Sequence, residues 1–105
     1  MMFSEGADKM RIDDAVKKRR LEILSIAVRY GGKNVRLFGS VARGTATESS
    51  DLDILLEMER GRSLLDLVAI KQDLEDLLGS QVHVVTESSL SPYLRDAVLK
   101  EAVSL

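Results

Sequence analysis

Hydrophobic residues recur along the chain at two different spacings, which separate the predicted helices from the predicted strands. Over Ser63–Leu78 they recur every three or four residues, the repeat of an α-helix with one buried face, at Leu64, Leu67, Ile70, Leu74 and Leu77. Ser63 is the predicted N-cap of this helix, and Gly79 ends it. A similar stripe predicts an earlier helix over Asp13–Tyr30, capped by its first residue and stopped by Gly31. Its apolar positions are Val16, Ile23, Leu24, Ala27 and Val28.

Three short apolar runs, each bounded by turn residues, predict strands at Val35–Phe38, Leu52–Glu57 and Val82–Val85. A short helix is predicted at Val41–Ala46, directly after the first strand. A last helix opens with Pro92 in its first turn. Strands that alternate with helices are typical of an α/β or α+β domain. We therefore expect a small mixed sheet of three or more strands flanked by helices.

Length and charge favour a single-domain protein that binds neither nucleic acid nor a membrane. The chain has 105 residues, the size of a single domain, and we expect one domain over residues 1–105 with a frayed arm at residues 1–10. The net charge is −2, which disfavours tight binding to nucleic acid because phosphate backbones select basic surfaces. The run Lys17–Arg20 is interpreted as a solvated helix face. No apolar stretch is long enough to span a bilayer, and cysteine is absent, so we expect a cytoplasmic protein without a membrane partner.

A glycine-serine turn joins the first predicted strand to the short helix after it. Gly39 has no Cβ, so a ligand can approach its backbone closely, and the free amides at a helix start favour an anion. Ser40 adds a hydroxyl donor, and Arg43 adds a planar cation suited to phosphate. On these residues alone, an ordinary turn is the more frequent explanation. A P-loop is excluded because no Gly-Lys-Ser/Thr follows at the required spacing.

Two acidic residues at the start of the second predicted strand share one face. Asp51 and Asp53 are two positions apart, and the side chains of a strand alternate between its faces. Carboxylates this close resist ionising together, and a divalent cation offsets their repulsion. Oxygen ligands favour Mg²⁺ or Mn²⁺ over zinc. The alternative, with Asp51 as a cap before the strand and Asp53 merely exposed, stays open.

The turn and the acid pair strengthen each other as a nucleotide site. Only six residues, Thr45 to Ser50, separate Gly44 from Asp51, so the two parts can face each other across a short loop. The turn would hold the β- and γ-phosphates of a nucleoside triphosphate, and the acids would place metal at the α-phosphate. This arrangement suits metal-assisted attack on the α-phosphate.

The segment Gly39–Gly44, followed after six residues by Asp51-Leu52-Asp53, resembles the signature of the polymerase-β-like nucleotidyltransferase superfamily. Its compact form, without a second domain, resembles the minimal nucleotidyltransferases (MNT) of bacteria and archaea, the group of the MntA-like antitoxins. The resemblance covers about Val35–Leu105 and includes the stretches Leu90–Leu94 and Glu101–Val103. It implies the polymerase-β-like nucleotidyltransferase fold.

The resemblance also implies roles for the residues that match. Gly39 and Ser40 correspond to the triphosphate-binding turn, and Arg43 touches phosphate or braces the loop. Asp51 and Asp53 correspond to the two metal-binding acids, with Mg²⁺ or Mn²⁺ as the metal and ATP as the substrate.

The same families carry a third acid on the next core strand, as a metal ligand or a general base, and here His83 stands where that acid is expected. His83 is the only histidine in the chain. If the third strand neighbours the second, His83 lies beside Asp51 and Asp53. A neutral imidazole can accept a proton, but it does not reproduce the charge of a carboxylate. A partly buried histidine with a satisfied hydrogen bond is the open alternative.

The implied activity is transfer of AMP, or another nucleoside monophosphate, from MgATP to an acceptor hydroxyl with release of pyrophosphate. Minimal nucleotidyltransferases commonly pair with small helical HEPN toxins, as antitoxins that can adenylylate a tyrosine of the toxin. We therefore expect an enzyme that modifies a HEPN-type partner protein, and homo-oligomers stay open. The alternative is an impaired nucleotide-binding module that neutralises its partner by stoichiometric binding. A third possibility is a small α/β domain whose motif match is accidental.

Overall fold

The structure is a computed structural model that describes residues 12–47 and 49–105. Its helices are α1 (Ile12–Lys18), α2 (Arg20–Arg29), α3 (Gly39–Arg43), α4 (Leu64–Leu78) and α5 (Pro92–Glu101). Its strands are β1 (Gly32–Phe38), β2 (Leu52–Met58), β3 (Val82–Val85) and β4 (Val103–Ser104), and a 3-10 turn at Glu87–Ser89 follows β3. The arm predicted at residues 1–10 lies outside the described residues. Within the described ranges, no helix has the length and apolar character needed to cross a membrane.

The strands form one four-stranded sheet in the order β3-β2-β1-β4. β1 runs antiparallel to both β2 and β4, whereas β2 and β3 are parallel. A parallel pair needs a long crossover between its strands, and α4 provides it. The predicted α/β or α+β class, a small mixed sheet flanked by helices, is confirmed.

One face of the sheet holds the core, beneath α2 and α4. Alternate residues of β2 are fully buried there and belong to one apolar cluster with side chains of both helices; these strand residues are Leu52, Ile54 and Leu56. Because strand side chains alternate between faces, burial of this set turns Asp53 toward the opposite face. The core therefore fixes which side of the sheet carries Asp53.

The predicted caps of α4 and the predicted place of Pro92 in the first turn of the last helix are confirmed. Ser63 Oγ accepts a hydrogen bond from an N–H in the first turn of α4 at 3.2 Å, and Asp66 Oδ2 accepts from the Ser63 N–H at 3.0 Å, which is a capping box. Gly79 ends α4 in the left-handed conformation, with φ 67°. Ser91 caps α5 ahead of Pro92.

The helix predicted over Asp13–Tyr30 is two helices, so that prediction was wrong at Arg19. Arg19 has φ −109° and ψ 24°, away from helical values. Its N–H still donates to the carbonyl four residues earlier at 3.0 Å, and its carbonyl accepts from the N–H four residues later at 2.9 Å. The apolar stripe is therefore hardly displaced, and periodicity gives no signal of the break. Asp13 lies inside α1 rather than at its cap, and Val28 is 69% exposed rather than buried.

Other boundaries also differ from the prediction. β1 begins at Gly32, three residues before the predicted start, because Gly32 pairs with Met58 at the far end of β2. The short helix spans Gly39–Arg43 rather than Val41–Ala46, since Gly44 adopts φ 77° and ends it. β4 is an additional strand of two residues, too short to show an alternating pattern.

Candidate active site

The pairing of β1 with β2 brings the glycine turn against the second acid. Phe38 lies opposite Asp53 in this antiparallel pair, and α3 begins at the next residue, Gly39. Gly39 has φ +75°, and a Cβ built on it would collide with Oδ2 of Asp53. Both the backbone angle and the contact require glycine at this position.

The pairing of β2 with β3 brings the histidine to the same place. Asp53 is the register partner of His83, and His83 Nε2 lies 3.0 Å from Asp51 Oδ2. The side chains of His83 and Asp51 are each 44% exposed, so this pair is open to solvent and ligands. The expectation that His83 lies beside the two acids is therefore confirmed.

The contact between His83 and Asp51 constrains the histidine proton. An ionised carboxylate only accepts hydrogen bonds, so the imidazole must donate through Nε2–H when Asp51 is charged. Nδ1 is then the ring nitrogen left to accept a proton, provided that the ring is neutral. A base role for His83 thus falls on Nδ1 while this bond lasts.

Asp53 is the site group whose charge the fold opposes. Burial raises the pKa of the Asp53 carboxyl above its usual range, the nearby His83 and Arg43 oppose that rise, and the carboxylates of Asp51 and Glu101 add to it. Burial penalises the charged form of an acid, as do neighbouring negative charges. A cation bound at this position would therefore favour the charged form of Asp53.

Glu101, the last residue of α5, makes two contacts with the turn. The Gly39 N–H donates to Glu101 Oε2 at 2.6 Å, and Arg43 Nη1 donates to Glu101 Oε1 at 3.0 Å. The Gly39 hydrogen bond and the Arg43 charge lower the pKa of Glu101. Glu101 is therefore an ionised group that contacts both ends of α3.

Sequence reasoning did not include Glu101 among the site residues. It lies 62 positions from Gly39 along the chain, and the pairing of Val103 with Leu37 in β4 and β1 brings it there. Since β4 was not predicted, no local pattern placed the end of α5 beside the turn. The one available signal was the resemblance of Glu101–Val103 to the MNT group.

Ser40 lies in the first turn of α3, next to Gly39. Its carbonyl accepts from the Thr45 N–H at 3.0 Å, which closes the turn on its far side. Among the hydrogen bonds of the described residues, Ser40 takes part through its backbone carbonyl and not through its hydroxyl. Arg43, by contrast, directs its guanidinium at Glu101. The structure thus gathers all the predicted site residues at one end of the sheet, where β1 ends and β2 and β3 begin, with Ser40 and Arg43 in different surroundings.

The acid pair suits a hard cation that is shared with a substrate. In the described ranges, no group of three or more His, Cys, Asp or Glu side chains could hold a metal ion. Mg²⁺ commonly binds one or two carboxylates, keeps several waters and takes further oxygens from substrate phosphates. Asp51 and Asp53 fit that kind of site, and they do not fit a cage built from protein ligands alone.

A family model described as "Nucleotidyltransferase domain" matches residues 10–105 of the chain. The chain belongs to this nucleotidyltransferase family. The match spans both the glycine turn and the acid pair, so the domain that contains this site is a nucleotidyltransferase.

The nucleotidyltransferase is similar to other members of the group in sequence and in structure. It is 43% identical over 75 residues to protein adenylyltransferase MntA of Thermococcus cleftensis, covering 71% of this chain and 76% of that protein. A solved structure assigned as a minimal nucleotidyltransferase shares 49% identity, with a TM-score of 0.81 over 91% of this chain and 97% of that one. A mutant MntA–HpeT toxin–antitoxin structure contains a chain with 25% identity and a TM-score of 0.66, covering 85% of this chain and 70% of that one. The resemblance to minimal nucleotidyltransferases is confirmed.

Proposed function

We propose that this nucleotidyltransferase moves AMP, or another nucleoside monophosphate, from a Mg²⁺-bound nucleoside triphosphate to a hydroxyl on a partner protein. The observation that carries the proposal is the close approach of Gly39 to the Asp53 carboxylate, since the turn proposed to bind phosphate then lies beside an acid proposed to bind metal. In this reaction the acceptor oxygen bonds to the α-phosphorus, and the bond from that phosphorus to the leaving oxygen breaks. Pyrophosphate leaves, and the acceptor proton passes to a base.

Four side chains of the site have a direct role in this proposal. Asp51 and Asp53 hold Mg²⁺ or Mn²⁺, which when bound neutralises charge at the α-phosphate and lowers the pKa of the acceptor hydroxyl. The Ser40 hydroxyl and the backbone amides that follow Gly39 position the leaving pyrophosphate. Nδ1 of His83 accepts the acceptor proton, because Nε2 is committed to Asp51.

The acceptor in this proposal is a toxin of the helical HEPN type, and the chain is its antitoxin. Two observations support a protein acceptor. One relative at 43% identity is named a protein adenylyltransferase, and a chain of the MntA–HpeT toxin–antitoxin structure is a structural neighbour. The net charge of −2 also fits a protein acceptor better than a nucleic acid. We place this activity in the cytoplasm, where ATP is abundant.

A second function, a binding module without transfer activity, is favoured by one observation. His83 occupies the register position beside the acids where the resemblance predicts a third carboxylate. A site with one negative charge fewer would still bind a nucleotide but would stabilise the reacting phosphate less. In that case the chain would neutralise its toxin by occlusion.

One experiment separates the two functions. The purified chain is incubated with the candidate toxin and ATP labelled at the α-phosphate, or with an analogue whose α–β bridge cannot be cleaved. If the chain is an enzyme, label should appear on a toxin hydroxyl, and inhibition of the toxin should require cleavable ATP. The Asp51→Asn variant should lose both the labelling and the inhibition. Equal inhibition with the analogue, without label, would identify a binding module. Absence of MgATP binding by calorimetry would exclude both.

A further inference from the structure

The short helix α3 lacks the cap that a helix start normally has. Its N-cap residue is Phe38, whose side chain makes no capping hydrogen bond, and an aromatic ring has no acceptor for the free N–H groups of the first turn. The helix has five residues, too few to be stable without support from the rest of the protein. Something outside α3 must therefore hold it in place.

Glu101 provides that support at both ends of the helix. Its Oε2 accepts from the N–H of Gly39, the first residue of α3, and its Oε1 accepts from Arg43, the last residue. A carboxylate near a helix N-terminus and a cation near its C-terminus both complement the helix dipole. One side chain thus replaces the missing cap and ties down the C-terminal cation.

The backbone of Glu101 is itself held firmly. The next residue, Ala102, donates its N–H to the Val98 carbonyl at 2.9 Å, and Val103 pairs with Leu37 in the sheet. The carboxylate therefore extends from a fixed point beside the end of β1. A group on such a scaffold can set the geometry of its neighbours.

We propose that Glu101 is a positioning residue for the phosphate-binding turn, and that Arg43 acts through Glu101 by bracing the turn rather than by binding phosphate. This inference rests on the proposed function. Glu101 engages the Gly39 N–H and the Arg43 guanidinium, while the Ser40 hydroxyl remains for the substrate. Of the two roles that the sequence left open for Arg43, the inference selects bracing.

A double-mutant cycle tests this inference by measuring MgATP affinity in four proteins: the native chain, Glu101→Ala, Arg43→Ala and the double variant. Glu101→Ala should weaken binding by about tenfold, the loss expected for one charge-assisted hydrogen bond. Arg43→Ala should weaken it less, because the Gly39 bond survives. The double variant should bind no more weakly than Glu101→Ala alone, since both substitutions remove parts of one brace.

Two further variants exclude a merely structural effect. Glu101→Gln keeps an acceptor for the Gly39 N–H and should recover part of the lost affinity. Glu87→Gln is the matched control, because it removes the charge from another ion pair, Arg36 Nη2 to Glu87 Oε2 at 3.2 Å, and should leave MgATP affinity unchanged.

Two results would overturn the inference. Tighter MgATP binding in both Glu101→Ala and Glu101→Gln would mean that the carboxylate competes with phosphate for the turn. A double variant weakened by the product of the two single effects would mean that Arg43 contacts the nucleotide independently.

A nucleotide-free measurement separates this inference from the proposed function. Hydrogen exchange at the Gly39 amide should be about tenfold faster in Glu101→Ala than in the native protein. If the native chain binds no MgATP, the proposed function fails, while faster exchange would still support the brace. Unchanged exchange at Gly39 would overturn the brace whatever the nucleotide data show.

Discussion

Asp53 and His83 lie directly opposite each other in the parallel pairing of β2 and β3. Backbone hydrogen bonds set that register, so position 83 faces the acids whatever side chain it carries. The imidazole also bonds to Asp51 at 3.0 Å, which leaves the acid pair with a neighbour that can carry positive charge but never negative charge. The activity of the site is therefore expected to depend strongly on this one position.

His83→Asp should transfer nucleotide faster than the native protein with Mg²⁺. The native site, with an imidazole in place of a third carboxylate, should work slowly with Mg²⁺ and better with Mn²⁺, because Mn²⁺ accepts nitrogen ligands more readily. Initial transfer rates of both proteins with each metal, on the same acceptor, measure this. His83→Asn is the control and should stay slow. If His83→Asp is slower than the native protein with both metals, His83 is not a degraded third acid, and the imidazole serves the reaction better than a carboxylate would.

Asp51→Asn and Asp53→Asn should each abolish metal-dependent transfer while the fold is retained. An amide has no negative charge to hold the cation, and the core face of β2 does not include either residue. Transfer rates over a series of Mg²⁺ concentrations, with circular dichroism for the fold, measure this. Glu57→Gln is the matched control, because Glu57 is an exposed acid on the same strand that hydrogen-bonds Asn34. Near-native transfer by either Asp variant would disprove the metal-binding assignment.

Asp53→Asn should also change how stability depends on pH in metal-free buffer. Because burial raises the folded-state pKa of Asp53, its charged form destabilises the fold above that pKa, and the native protein regains stability as pH falls through it. The variant should therefore melt at a higher temperature than the native protein near neutral pH. The difference should shrink as pH falls through the folded-state pKa and approach zero below about pH 3.9, the ordinary pKa of Asp, where the carboxyl becomes protonated in both states.

Thermal melts at a series of pH values, with a chelator present, measure this difference. A variant that is less stable than the native protein near neutral pH, or an advantage that grows on acidification, would contradict the role of burial. Glu57→Gln again serves as the control, since its melting temperature should follow that of the native protein.

Gly39→Ala should cost more stability than an alanine at another glycine with the same backbone conformation. Gly61 has φ +84° and nothing within 4 Å of an added Cβ, so Gly61→Ala should cost only backbone strain, about 1 kcal/mol. Gly39→Ala adds the collision with Asp53 and should also weaken MgATP binding. Urea unfolding and calorimetry measure the two effects. Equal losses in both variants would mean that the contact of Gly39 with Asp53 is not restrictive.

The sequence predicted the parts of the site that are close along the chain. Gly39, Ser40, Asp51 and Asp53 follow from strand alternation, turn chemistry and a known spacing, all of which act over a few residues. Glu101 could not be found in this way, because it reaches the turn through β4, whose two residues show no periodicity. The break at Arg19 was missed for a related reason, since the hydrogen bonds that continue across it preserve the apolar stripe.

The mixed pairing of the sheet has a consequence for how the site comes into being during folding. The connection between β1 and β2 spans residues 39–51, so the approach of Gly39 to Asp53 closes a smaller loop than the other contacts of the site do, at a lower entropic cost. His83 and Glu101 reach their partners across 32 and 62 positions, and such distant contacts form slowly. We expect the turn and the acids to meet first, with the histidine and the brace arriving only after the α4 crossover has docked. The newly made chain would then have both acids in place before the groups that tune them.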